Sequence, residues 1–229
     1  MKKVSLQDKI SEQLMTRAAL KQGVFDTTLS AFDQLKEVLK GLPEVFNPQL
    51  MDKDARLQLQ YEEVGNFVAK LKVAGDVLVF FMHTNAFMFD REHKIWEQPY
   101  AKENMARCYT GVINIYNFLF DSFRYGRPDD LGYMVARVFV NRENAFFVEG
   151  KRQRTMGVSG FGANKLDRDI WQKIVETAML YSLEFDLLVP PYENMSMLTM
   201  AQLNEEIMQS RMRTGKRLGF VFNSDDVKQ

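Results

Sequence analysis

The sequence predicts an α+β fold: a mainly antiparallel sheet, built from a meander and a hairpin, packed by helices in a single domain. Three observations carry this expectation. Residues 56–97 show a period of two punctuated by turn residues, and residues 133–152 read as strand, turn and strand. The segments around them place apolar residues at helical spacing. No connection within the meander is long enough for a crossover helix, so its strands are expected to run antiparallel.

Residues 1–42 read as a helical pair. Ser5 opens the first helix with Asp8 three residues later, and Leu6, Ile10 and Leu14 stack at spacing four. Gly23 is expected to break it, after which Asp26 or Thr27 caps a second helix carrying Leu29, Phe32, Leu35 and Leu39. Gly41 followed by Pro43 marks its stop. In residues 56–97 the runs around Leu57–Tyr61, Phe67–Val73 and Val77–Met82 alternate or are wholly apolar. Gly65-Asn66, Gly75-Asp76 and His83-Thr84-Asn85 serve as turns. The apolar run Val77–Met82 predicts a central strand covered on both faces.

Residues 102–125 return to steps of four and three through Met105, Tyr109, Val112, Tyr116, Leu119 and Phe123. This spacing predicts a core helix closed by Gly126 and Pro128. The hairpin 133–152 follows, its two apolar runs flanking Asn141-Arg142-Glu143-Asn144. Residues 167–214 read as C-terminal helices. The first is capped by Asp167, with Ile170, Trp171, Ile174, Ala178 and Tyr181 inward. The last, Met200 to Arg213, has a stripe thin enough to suggest a homodimer contact.

Hydrophobic residues make up 46% of the 229, enough for a sizeable core, and Lys+Arg balance Asp+Glu at 30 each. A neutral chain has no overall field for nucleic acid or an anionic membrane. One cysteine, Cys108, allows neither an internal disulfide nor a cysteine-based zinc site, and reads as an inert buried thiol. No signal peptide and no apolar run of bilayer length is read, so the expected location is the cytoplasm, away from membranes.

Few residues suggest chemistry. Pro128-Asp129-Asp130 precedes the first hairpin strand, and Glu149-Gly150-Lys151 ends the second. The spacing of two places Glu149 and Lys151 on one side of a strand. These residues resemble the core motif of the PD-(D/E)xK nuclease superfamily. The resemblance implies Asp129 or Asp130 and Glu149 as ligands of a divalent ion such as Mg²⁺, Lys151 as the catalytic cation beside them, and a nucleic-acid phosphodiester as substrate. Two hairpin registers are open. Val140 facing Ala145 sets Glu149 opposite Ala136, whereas a shift by one sets Arg137 opposite Glu149 as a cross-strand ion pair.

The glycine loop Gly157 to Gly162, before a helix, offers a second candidate. Its backbone N–H groups, including those of Gly160 and Gly162, with Arg152, Arg154 and Lys165 around them, form a possible anion site. The other reading is a connector with solvated charges. Asp90, Glu92 and His93 form a conceivable metal set or a solvated turn, and His83 lies in a turn. No serine sits in a Gly-x-Ser-x-Gly motif. The expected function is therefore a domain without a cofactor, binding a partner protein or a small ligand between helix and sheet. The alternative is an Mg²⁺-dependent nuclease or phosphodiesterase, the one case in which nucleic acid would be a partner.

Overall fold

Ser5 caps the first helix as expected, its hydroxyl accepting from the Asp8 N–H while the Asp8 carboxylate accepts from the Ser5 N–H, both at 3.1 Å. The computed structural model describes residues 5–152, 160–185 and 199–201. Helix α1, Leu6–Gln13, passes through a π-helical turn, Leu14–Ala18, directly into α2, Ala19–Phe46. The expected break at Gly23 does not occur. A Cβ on Gly23 would lie 2.9 Å from the Arg142 side chain, so this glycine lets α2 approach the hairpin turn. Gly41 and Pro43 also stay inside the helix. A mid-helix glycine costs roughly 1 kcal/mol. Burying Val24, Ala31, Phe32, Leu35, Val38, Leu39 and Leu42 along one stripe far outweighs that cost.

The meander follows as β1 (Gln60–Gly65), β2 (Val68–Val73) and β3 (Asp76–Met82), each paired antiparallel with the next. A two-residue strand β4 (Phe87–Met88) and a short helix α3 (Pro99–Glu103) lie in the excursion that leads to β5 (Tyr109–Leu119). Then come α4 (Phe120–Arg124), β6 (Tyr133–Asn141), β7 (Phe146–Gly150) and α5 (Arg168–Leu183). The sheet has seven strands in the order β1-β2-β3-β5-β6-β7, with β4 pairing beside the start of β5. The fold class read from the sequence is the one observed.

The core helix over 102–125 is the main correction. Only the end of α3 and Phe120–Arg124 are α-helical there, and Tyr109–Leu119 forms the longest strand, hydrogen-bonded between β3 and β6. The reason is physical. Gly111, Ile113 and Ile115 face the helices while Val112, Asn114 and Tyr116 face away, so both sides carry apolar groups and the period of two is hidden. Such a run matches a helical stripe by accident. The opposite error occurs in β3, where Val77–Met82 is not sealed on both faces: Phe81 is 38% exposed.

Helices α2 and α5 cover one face of the sheet. Phe32, Leu35 and Leu39 meet Trp171, Ile174 and Ala178 above Leu71, Phe80, Ile113, Ile115 and Val138. The Asp167 cap of α5 holds as expected, its carboxylate accepting from the Ile170 N–H at 2.9 Å. The proposed dimer helix, Met200 to Arg213, falls almost wholly outside the described residues. Among the described residues, no helix is long and apolar enough to cross a membrane.

Candidate ligand cleft on the open sheet face

With the helices stacked on one side, the other face of β5, β6 and β7 is left for the excursion between β3 and β5 to border. Alternation sends Val112, Asn114 and Tyr116 of β5, Met134, Arg137 and Phe139 of β6, and Glu149 of β7 to this face. A β-bulge between Ile115 and Tyr116 shifts the register, so that Tyr116 pairs with Met134 while Ile115 pairs with Ala136. Residues His83, Phe87, Phe89 and His93 of the excursion form the opposite wall. Together these groups enclose a cleft of about 400 Å³.

Local interactions fix that wall. The Trp96 indole donates to the Asp90 carbonyl at 2.7 Å, and His93 Nδ1 accepts from the Ile95 N–H at 3.1 Å. Because Nδ1 accepts, Nε2 carries the proton and donates to Glu149 Oε1 at 3.2 Å. The Phe89 ring stacks on His93 at 4.6 Å and lies 4.9 Å from Phe139. The other Glu149 oxygen accepts from Arg137 Nε at 2.8 Å and from Arg137 Nη2, a forked pair. His93, Glu149 and Arg137 thus form one chain of hydrogen bonds along the cleft floor, with the guanidinium 5.3 Å from the Phe139 ring centroid.

This geometry settles the hairpin register. Arg137 is the partner of Glu149, and Val140 pairs with Phe146. Glu149 is therefore half of a cross-strand ion pair. Gly150 has a packing role, because a Cβ there would lie 2.6 Å from the Val135 carbonyl, beside the bulge. The Lys151 N–H donates to that same carbonyl at 2.9 Å. Asp130 sits in the loop before β6, accepting from the Ser122 hydroxyl at 2.6 Å and pairing with Arg127 at 3.6 Å; Asp129 precedes it. Among the described residues no group of three His, Cys, Asp or Glu side chains is placed to hold a metal ion. Asp129, Asp130 and Glu149 are thus not gathered, and neither are Asp90, Glu92 and His93. The register is the cause: Glu149 lies opposite Arg137, well along β6 from the loop that holds the aspartates.

The described glycine-loop candidates each have their own neighbours. Arg152, at φ +56°, pairs with Glu184 and lies 5.8 Å over the Tyr181 ring. Gly162, at φ +87°, packs so closely on Tyr100 that a Cβ would fall 2.2 Å from its ring. Gly160 lies near Gln98, and Lys165 forms an antiparallel bridge with Ala145. Arg154 and residues 157–159 lie outside the described residues. Cys108 is fully buried, and burial pushes its thiol pKa up, so it is poorly nucleophilic.

The layer between α2, α5 and the sheet is filled by core side chains, Phe32, Leu35, Trp171 and Ile174 among them. The sequence reading missed Asn114 and Tyr116 as site residues because it assigned them to a helix. Their alternation with Ile113 and Ile115 was the available signal. Comparisons of this chain with protein-family models, with curated proteins and with solved structures give no match.

Proposed function

We propose that the protein is a binding domain for a small, planar organic ligand seated on the open face of the sheet. The observation that carries this reading is the cleft itself. The excursion side presents Phe87, Phe89 and His93, and the sheet side presents Tyr116, Phe139, Asn114 and the Arg137–Glu149 pair that His93 joins. Concave sites with aromatic walls and a few converging polar groups are the usual form of small-ligand sites. The polar groups are fixed to one another before any ligand arrives, which lowers the ordering cost of binding. The same pairing argues against proton transfer by Glu149, since its carboxylate is occupied at both oxygens. A binding role is favoured over catalysis.

The test is titration with a panel of aromatic carboxylates and heteroaromatic compounds, read by calorimetry. Compounds that bind the wild type are expected to lose about tenfold or more in affinity in Tyr116→Ala and in Arg137→Ala, with unchanged circular dichroism. Affinities that are the same in both variants would place the ligand elsewhere and sink the proposal.

A further inference from the structure

A second cleft, of about 490 Å³, lies where the segment before β1 meets the β2–β3 turn and α4. It is independent of the aromatic cleft. Its notable residue is Lys72, which is only 8% exposed. The Lys72 ammonium donates to the carbonyls of Arg56, at 2.8 Å, and Gln58, at 3.3 Å, and lies 5.1 Å from the centroid of the Phe120 ring. Among the described residues no carboxylate pairs with it. An ammonium has three donors and a full charge. Two carbonyls and a ring face satisfy part of that demand, and a buried charge lacking a counter-ion is costly.

The surroundings add positive charge. Arg56 and Arg124 line the same cleft. Of its two acids, Asp54 is taken by Arg56, which it also caps through the Arg56 N–H at 2.9 Å. The other, Asp121, stands in the first turn of α4. The left-handed Ala74 at φ +52° and Gly75 close the turn beneath, and the Gly75 carbonyl is tied to the Phe120 N–H at 2.9 Å. This bond ties the start of α4 to the β2–β3 turn beside the cleft.

We propose that this cleft binds a small organic anion, a phosphate or carboxylate group supplying the counter-charge that Lys72 lacks among the described residues, with Arg56 and Arg124 at the rim. Charge-assisted bonds to such oxygens are among the strong hydrogen bonds of proteins. The cleft volume suits an anion of metabolite size.

The experiment is calorimetric titration of the full chain with inorganic phosphate and, separately, with succinate, at ionic strength held constant with sodium chloride. Saturable binding of one or both probes is expected in the wild type and in Arg137→Ala, a change confined to the other cleft. In Lys72→Met, which keeps the length of the side chain, affinity is expected to fall about tenfold or more. Binding of phosphate alone or of succinate alone identifies which oxyanion the site takes. Failure of both probes to bind, or equal binding in Lys72→Met, would overturn the proposal. Should Lys72→Met fail to fold, the Lys72 Cε resonance of the wild type is followed instead. A saturable shift on adding phosphate or succinate supports the site, and an unmoved resonance rejects it.

Discussion

At the scale of single residues, Glu149 shows how a motif can be spelled correctly and used otherwise. The spacing of Glu149 and Lys151 was legible in the sequence, and so were both hairpin registers. Choosing between the registers required knowing what faces Arg137, which depends on where β6 lies in the sheet. The Arg137–Glu149 pair is partly exposed, with side chains 45% and 28% accessible, so solvent screening limits its value. Glu149→Ala is expected to cost about 0.5–1 kcal/mol in urea denaturation. A second residue-scale prediction concerns Glu143 in the hairpin turn. It accepts from the Tyr100 hydroxyl at 2.8 Å and from Arg107 at 3.2 Å, and these bonds, Tyr100 first, hold its pKa below the usual value. A depressed carboxyl pKa contributes stability that is present above the unfolded value, near 4.3, and lost as pH falls through the folded one. Glu143→Gln is therefore expected to lower stability at neutral pH, leave the acid region little changed and so flatten the acid limb of the stability curve, read by urea denaturation across pH.

Lys72 works in the opposite sense. Burial lowers its pKa, so between the folded and unfolded values the unfolded chain binds more protons and stability rises with pH. The stability of wild type relative to Lys72→Met should rise as pH climbs towards about 10.4, the ordinary lysine value. A difference independent of pH would show that the charge itself carries no penalty.

At the scale of elements, β5 decides the structure and was the element hardest to read. Its aromatic and β-branched residues serve two environments, packing under α2 and α5 on one side and lining the open cleft on the other. A strand with apolar groups on both faces lacks the alternation that identifies one. Strands β1 and β2 and helix α5 were legible because each has one polar face. Helix α2 was legible as to its stripe but not its length, since Gly23 answers to a contact with Arg142 far along the chain. Gly111 makes a sharper test of the β5 assignment. A Cβ there would fall 2.1 Å from the Thr28 hydroxyl oxygen, inside the α2–β5 contact. Gly111→Ala should cost about 1–3 kcal/mol through overpacking. An unchanged stability would mean that α2 does not approach the strand so closely.

At the scale of the whole molecule, a single layer of helices on a seven-stranded sheet leaves one sheet face to other uses. The excursion from His83 to Cys108 borders part of that face, and α4 borders another part. Two clefts result, one walled by aromatic rings and one containing a lysine without a carboxylate partner among the described residues. Composition foretold a sizeable core and periodicity the fold class, but neither foretold the clefts. Both arise from residues brought together by strand order, which no local pattern encodes.

The claim that the open face is the binding surface is tested most directly by mapping. Amide shifts of the labelled protein would be recorded against a library of small aromatic fragments. Perturbed amides are expected to cluster at residues 83–93, 112–116, 134–139 and 147–149. Fragments that perturb only the helical face, or scatter with no preference, would contradict it.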